Sequence, residues 1–206
     1  MEHSNKDTSK YLEKLGTLTK TKAFLGKEFL TWLWFQAESR KEAFFLKRSK
    51  DKGDLSFHFW IDDRIFLQPF DKQGHENLLR GGDPSQSEEA ATSLASGMVI
   101  KDLKLGMNIR GVGDFTAVLN ADDLNPKSLQ VPGEQSGMWE GSEELDHATI
   151  ILTRIHQMEC FTDALDFLFA EFLHDRTKGD WDSKTLGSIR SWISSRRTKA
   201  AKKVVH

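Results

Sequence analysis

The sequence predicts an α+β domain in which antiparallel β-hairpins pack against a central aromatic helix and a long C-terminal helix. Three observations predict this architecture. A densely aromatic stretch with helical periodicity lies near the start, strands with alternating apolar residues come in pairs, and a second, longer helical pattern follows them. With 206 residues, the chain is long enough for one substantial hydrophobic core.

The aromatic stretch spans residues 23–39 (AFLGKEFLTWLWFQAES), with Thr21 as a candidate N-cap. A nearly continuous apolar face is typical of a helix that other elements cover. Two residues do not suit such a helix, because Gly26 weakens it and the carboxylate of Glu28 needs a partner or a place at the rim. The apolar face consists of Phe24, Leu25, Phe29, Leu30, Trp32, Leu33, Trp34 and Phe35.

After this helix the apolar residues recur with a period of two, which is typical of strands. Residues 42–50 and 54–61 flank KDKG and are predicted to form a hairpin. Asp62-Asp63 is predicted to make another turn, and residues 64–68 a third strand that Pro69 ends.

Residues 70–86 have the composition of a loop. A short helix is predicted after them, with Ser85 or Ser87 as N-cap, and it runs through Ser96 to a C-terminal Gly97.

A second hairpin follows, with one apolar and one polar face. Its two strands are joined by a turn at residues 111–114, and a short strand is predicted near residues 128–131. The alternating apolar residues are Leu103, Leu105, Met107, Ile109, Phe115, Ala117, Leu119 and Ala121.

The last part of the sequence predicts a glycine-rich acidic loop over residues 132–146 and then two helices. The longer helix is predicted from Glu144 to Asp175. Gly179 separates it from a basic amphipathic helix near residues 183–202 with Leu186, Ile189 and Ile193 on one side. The apolar stripe of the longer helix consists of Ile151, Ile155, Met158, Leu165, Phe169 and Phe172.

These patterns predict three segments. Residues 1–22 form an N-terminal lead-in, residues 23–176 the α+β domain, and residues 177–206 a basic C-terminal helix or tail.

The net charge of −2 conceals an uneven distribution. Residues 175–206 carry nine Lys and Arg against three Asp, and residues 1–50 carry eleven basic residues against six acidic ones. The middle of the chain is therefore strongly acidic. Basic ends permit contact with nucleic acid, although solvation is the commoner reason for such a charge distribution.

Cys160 is the single cysteine, which excludes an internal disulfide and favours a reducing compartment. No apolar run reaches the length of a membrane span, and residues 1–14 lack the apolar segment of a signal peptide. The expected location is the cytoplasm, without membrane association.

The sequence predicts neither a metal site nor a cofactor. It has no CxxC pair and no HExxH, and its seven His are scattered. His156 is expected at the surface of the long helix. Cys160, near the apolar side of that helix, is typical of a packed thiol rather than a nucleophile.

One enzymatic alternative remains. Asp102-Leu103-Lys104 on a strand, with Asp83 upstream, has the arrangement of metal-dependent nucleases, in which carboxylates hold Mg²⁺ and a lysine stabilises developing charge. Such a triplet arises easily by chance in a chain with 29% charged residues, so no enzymatic activity is expected.

Two groups of cations are candidates for DNA contact, which needs only positive charge on a suitable surface. The first group lies on the second hairpin and comprises Lys101, Lys104 and Arg110. The second group lies on the last helix and comprises Arg190, Arg196, Arg197, Lys199, Lys202 and Lys203.

Several segments resemble the recombination-associated RdgC family. FLGKEFLTWLWFQAE is similar to the FLGREFLTWLW-type signature of its short members, with Lys27 in place of the usual Arg. WIDDRIFLQP and the following LLRGG resemble the sheet-and-loop region of the family, and SGMVIKDLKL, FTAVLNADDLNPKSLQVP and the long helix resemble later elements. The resemblance covers about residues 24–174, with matching points at Asp63, Arg80, Gly81 and Gly82.

This resemblance implies a non-enzymatic, homodimeric protein that binds double-stranded DNA with little sequence preference. It also implies an association with the nucleoid and a limit on the loading or action of the RecA recombinase. The chain lacks the extra N-terminal half of the long members, which form a ring around DNA, so a ring is not implied. A protein-interaction module without DNA affinity is a third alternative, beside the nuclease.

Overall fold

The computed structural model describes residues 25–70, 74–82, 84–133 and 147–203, without the side chains of residues 86, 147 and 197–203. The lead-in, most of the acidic loop and Asp83 lie outside the described residues. Within the described part, the predicted α+β class is confirmed, since four helices accompany a six-stranded antiparallel sheet.

The elements follow the chain with short connections. They are α1 (25–39), β1 (Phe44–Leu46), β2 (Leu55–Pro69), β3 (Asn77–Arg80), a 3₁₀ turn (Pro84–Gln86), α2 (Glu88–Ala95), β4 (Met98–Ile109), β5 (Gly113–Asn120), β6 (Pro126–Gln130), α3 (His147–Thr177), a π-helical turn (Trp181–Thr185) and α4 (Leu186–Lys203). No helix in the described ranges is both long and apolar enough to cross a membrane.

Helix α1 is the central helix that the sequence predicts. Phe29 packs against two aromatic rings of α3, at centroid distances of 5.1 Å from Phe169 and 5.4 Å from Phe172. Glu28 has found a partner, because Arg176 Nε donates to its Oε2 over 2.9 Å. The predicted core face of α1 is confirmed for five of its residues, since Phe29, Leu30, Trp32, Leu33 and Trp34 are buried. Leu25 and Phe35 are half-buried, and Phe24 and the candidate cap Thr21 lie outside the described residues.

Gly26 is explained by the close approach of α1 to the turn after β5. A Cβ at position 26 would lie 1.8 Å from the carbonyl oxygen of Ala121, far inside contact distance. The helix can therefore reach the sheet only where a residue has no side chain. Packing outweighs helix propensity at this position.

The strands are ordered β1-β2-β4-β5-β6, and β3 pairs with the other half of β2. The alternation predicted for the second hairpin is confirmed, because its eight apolar residues are all buried against the helices. The opposite face of the sheet carries Trp60, which is 39% exposed and lies across Gly106. A Cβ at Gly106 would come within 2.2 Å of the Trp60 ring, so this glycine lets the indole lie flat on the sheet.

The turn predicted at Asp62-Asp63 is wrong, because β2 is one continuous strand of 15 residues. Its pairing with β4 passes from Ile61↔Leu105 to Ile65↔Leu103 through a bulge that contains the two aspartates. The bulge adds two residues to β2, an even number that leaves the alternation of side chains unchanged, so Ile65 faces the core like Ile61. Two adjacent acidic residues suit a bulge as well as a turn.

Two further predictions need correction. Residues 70–86 were expected to be a loop, yet they include β3, which pairs with β2, and the 3₁₀ turn. The strand expected over residues 42–50 is shorter, because β1 has three residues. The N-cap prediction is confirmed at Ser87, whose side chain accepts a hydrogen bond from Ala90 N over 3.1 Å.

The apolar stripe of α3 is covered over half of its length. Leu165 and Phe172 are buried, but Ile151, Ile155 and Met158 are 57%, 49% and 49% exposed. All belong to one helical face, so the periodicity is right. The stripe is buried only toward its C-terminal end, because α1 packs against that part of α3.

The role of Gly26 can be tested by replacing it with alanine. Overpacking costs about 1–3 kcal/mol, and the better helix propensity of alanine offsets about 1 kcal/mol of this. We expect Gly26→Ala to lower the unfolding free energy by on the order of 1 kcal/mol in urea denaturation. Gly187 in α4 is a matched control because a Cβ there meets no atom within 4 Å. Gly187→Ala should therefore stabilise the protein, and a stabilising effect at position 26 would contradict the close approach.

Candidate nucleic-acid interface

The two lysines predicted on the second hairpin are engaged by carboxylates. Lys104 Nζ lies 3.0 Å from Asp62 Oδ2 and 3.2 Å from Asp63 Oδ1, and the hydrogen bond to Asp62 is the main cause of a raised pKa of Lys104. Lys101 Nζ lies 3.5 Å from Glu76 Oε1 and 4.9 Å from the centre of the Phe66 ring. A phosphate would have to compete with these carboxylates, so neither lysine is well placed for DNA.

Arg110, the third member of this group, differs from the lysines. It lies at the end of β4, and its backbone N–H donates to Ser56 O over 2.9 Å, which places it beside the start of β2. Its side chain is exposed and forms no ion pair with the described residues. Arg110 is therefore available to an anionic partner, at the end of the sheet where the β1–β2 hairpin turns.

On α4, the predicted cations have different surroundings. Arg196 is largely buried, because it pairs with Glu38, donates to Ser85 O, and lies 5.2 Å from the Trp192 ring centre. Arg190 is exposed and unpaired within the described part of the chain. The other four predicted residues lie on the last two turns of α4, outside the described side chains: Arg197, Lys199, Lys202 and Lys203.

Glu38 joins α1 to α4. Its Oε1 accepts a hydrogen bond from Trp34 Nε1 over 2.6 Å, and its Oε2 accepts one from Trp192 Nε1 over 3.1 Å and pairs with Arg196. Burial raises the pKa of Glu38, although Arg196 and the two indoles oppose the rise. This cluster fixes the direction in which α4 continues past Arg196.

The β1–β2 hairpin holds cations that the sequence analysis did not assign to a site. Lys47, Lys50 and Lys52 are exposed, and none of them forms an ion pair with the described residues. The turn that carries them is braced by Arg48, which binds Asp163 over 3.1 Å, Gly53 O over 2.7 Å and Lys52 O over 2.5 Å. The excess of basic residues in positions 1–50 was the signal for this hairpin.

Lys41 extends this group toward α4. It is exposed, and it lies in the link between Glu38 and β1. The neighbouring Arg40 stacks on the Phe44 ring at 3.9 Å. We call Lys41, Lys47, Lys50 and Lys52 the cationic edge, because β1 is the edge strand of the sheet.

The geometry gives the nuclease alternative little support. Asp102 is 7% exposed, and its Oδ1 lies 3.0 Å from Arg64 Nη2, so an arginine lies where a metal ion would have to bind. Lys104 is held by Asp62 and Asp63, and Asp83 lies outside the described residues. Among the described residues, no cluster of three or more His, Cys, Asp or Glu could hold a metal ion.

Cys160 is a packed thiol, as predicted, and is fully buried. Its Sγ lies 3.6 Å from His156 Nε2 and 3.6 Å from Arg48 Nη1. His156 is exposed, as expected. Because solvent does not reach the sulfur, this pair does not constitute a nucleophilic site.

No model of a known protein family matches the chain, and no curated protein matches it at a significant level. The resemblance to RdgC therefore rests on the motifs quoted above.

The environment of Asp102 predicts a pH dependence of stability. Burial raises its pKa above the ordinary value of 3.8, and the Arg64 guanidinium opposes this only in part. As the pH rises from 3.8 to the raised value, the folded protein binds more protons here than the unfolded chain does. The contribution of Asp102 to the unfolding free energy therefore falls over this range. We expect the unfolding free energy of wild type to decrease relative to that of Asp102→Asn as the pH rises over this range. Urea denaturation of both proteins at a series of pH values measures this difference.

Asp123 provides a control with the opposite sign. Slight burial raises its pKa, but hydrogen bonds from Asn125 N and Lys127 outweigh this effect and lower it below 3.8. The contribution of Asp123 should therefore be lost as the pH falls through its lowered pKa. Equal trends for Asp102→Asn and Asp123→Asn would contradict the environment described for Asp102.

Proposed function

We propose that the protein binds double-stranded DNA without sequence preference, along the cationic edge and the last turns of α4. One observation carries this proposal. Four exposed lysines that form no ion pair with the described residues gather along β1 and its hairpin, whereas the lysines predicted on β4 are paired with carboxylates. A phosphate backbone is attracted where charge is not already compensated.

The Glu38 cluster supports a continuous surface. Arg196, on α4, binds the carboxylate that precedes Lys41 by three residues. The positions of Arg197, Lys199, Lys202 and Lys203 follow directly after this contact. Arg110 extends the surface at the other end, because its backbone is bonded to Ser56 of β2.

Lysines on an edge and a turn suit phosphate contact rather than base recognition. Each is a mobile point charge, and sequence readout needs groups that reach base edges in a groove. The proposed binding is therefore independent of sequence and sensitive to salt. The restriction of a RecA-type recombinase, and the association with the nucleoid, are parts of the proposal that only the RdgC resemblance supports.

Two matched triple variants test the proposed surface. The first variant removes three unpaired cations by replacing Lys47, Lys50 and Lys52 with Gln. The second removes three paired cations by replacing Lys101, Lys104 and Lys127 with Gln. Both lower the net charge equally. We expect the first variant to bind unrelated duplexes more weakly by a similar factor, with a log–log salt slope flatter by about 0.9 per lost phosphate contact. The second variant should change the slope less.

Several outcomes would count against this surface. Equal losses in both variants would mean that total charge, rather than the cationic edge, determines binding. Absence of duplex binding by the wild-type chain at low salt would exclude the function itself. Plasmid cleavage that needs Mg²⁺ and disappears in Asp102→Ala would favour the nuclease.

A specific observation also favours contact with protein. Ile151, Leu152, Ile155 and Met158 form an apolar patch on one face of α3, and Leu152 is 66% exposed. The patch carries no charged residue, so two copies related by a two-fold axis could bring their patches together without opposing like charges. We propose that a second copy of the chain covers it, which is the homodimer that the resemblance implies.

This dimer can be tested by light scattering after size exclusion. We expect wild type to have the mass of a dimer and Ile155→Glu to have that of a monomer, because a carboxylate would be buried at the interface. Ser191→Glu adds the same charge to an exposed position of α4, outside the patch, and should remain dimeric. A monomeric wild type would contradict the proposed homodimer.

A further inference from the structure

A cavity of about 140 Å³ lies between α1, the end of β2, the π-helical turn and the start of α4. Its walls are mostly apolar, formed by Phe70, Val99, Trp181, Leu186 and Ile189. An apolar cavity of about 150 Å³ is large enough to bind benzene. The space therefore suits one aromatic ring or a short aliphatic chain.

The wall on the α4 side is a π-helical turn, Trp181–Thr185. Such turns are rare and occur frequently at functional sites, where they displace a side chain from the regular helical position. Trp181 is buried, and its ring packs edge-on against Phe172 at a centroid distance of 5.8 Å. The indole is therefore a fixed wall of the cavity rather than a mobile cover.

The polar side chains at the cavity form ion pairs or hydrogen bonds with other described residues, except for Lys27. Glu28 is paired with Arg176, and the Thr31 hydroxyl donates to the carbonyl oxygen of Lys27 over 2.9 Å. Lys27 forms no ion pair with the described residues, and its Nζ lies 5.4 Å from the centre of the Phe70 ring. Among the described residues at the cavity, the charge without an ion-pair partner is therefore the positive charge of Lys27.

We propose that this cavity binds a small organic acid, with an aromatic or short aliphatic group between the apolar walls and its carboxylate at Lys27. A nucleobase suits these walls less well, because part of its polar edge would face apolar side chains without hydrogen-bond partners. A single ammonium group at the mouth suits a monoanion. This site is separate from the cationic edge and does not depend on DNA binding.

The proposal can be tested with 3-phenylpropionate as the probe and methyl NMR as the readout. We expect saturable shifts of the methyl groups of Ile189, Leu186 and Val99, with a Kd on the order of 1 mM or tighter at neutral pH. The neutral amide of the same acid has the same ring and chain. It should bind at least about tenfold more weakly, because a charged hydrogen bond is lost.

Matched variants distinguish the effect of the Lys27 ammonium group on binding from the effect of the net charge of the protein. Lys27→Met keeps the apolar stem but removes the ammonium group, and it should weaken binding of the acid to the level of the amide. Lys127→Met removes the same charge at a residue of β6 that does not line the cavity, and it should leave the affinity unchanged. Saturable shifts that are equal for acid and amide, or equal affinity in Lys27→Met, would overturn the role of Lys27. Absence of any shift would overturn the site.

Discussion

The arrangement of the helices depends on the buried carboxylate of Glu38. A charge that leaves water must be compensated by well-placed donors, and here two indole N–H groups and a guanidinium supply them. The donors come from α1 itself and from α4, so the carboxylate is satisfied only when α4 lies against α1. The contact of Arg196 with Ser85 O attaches the turn before α2 to the same cluster.

The position of α4 connects two regions that are far apart in sequence. Its first turns supply Leu186 and Ile189 to the apolar cavity, and its last turns carry basic residues past Glu38. The core that holds this helix contains many aromatic rings, and rings from α1, α3 and α4 meet at centroid distances between 5.1 and 6.2 Å. Such rings pack with defined geometry, which suits a helix that must keep one direction.

The sequence predicted the periodic features well, because periodicity depends on local geometry. Such patterns predict the buried face of α1 and the alternation of β4 and β5. The Ser87 cap follows from a local sequence signal at the start of a helix. Features that depend on distant partners were not predictable. Nothing near Asp62-Asp63 indicates that Lys104 lies beside it, and the reason for Gly26 is a carbonyl oxygen 95 positions later in the chain. The cavity could not be predicted, since four separate stretches contribute its walls.

The long strand β2 also affects how the sheet meets other molecules. On one side it pairs with β4, and on the other it pairs with β1 at its start and with β3 near its end. Between these partners the strand bulges and exposes acidic side chains, and the carbonyl oxygen of Asp63 accepts a hydrogen bond from Gly81 N. A bulged, charged edge is a poor template for an incoming strand, and the outermost strands are short, with lysine beside β1 and Pro126 opening β6. These features protect the sheet against growth into intermolecular β-structure.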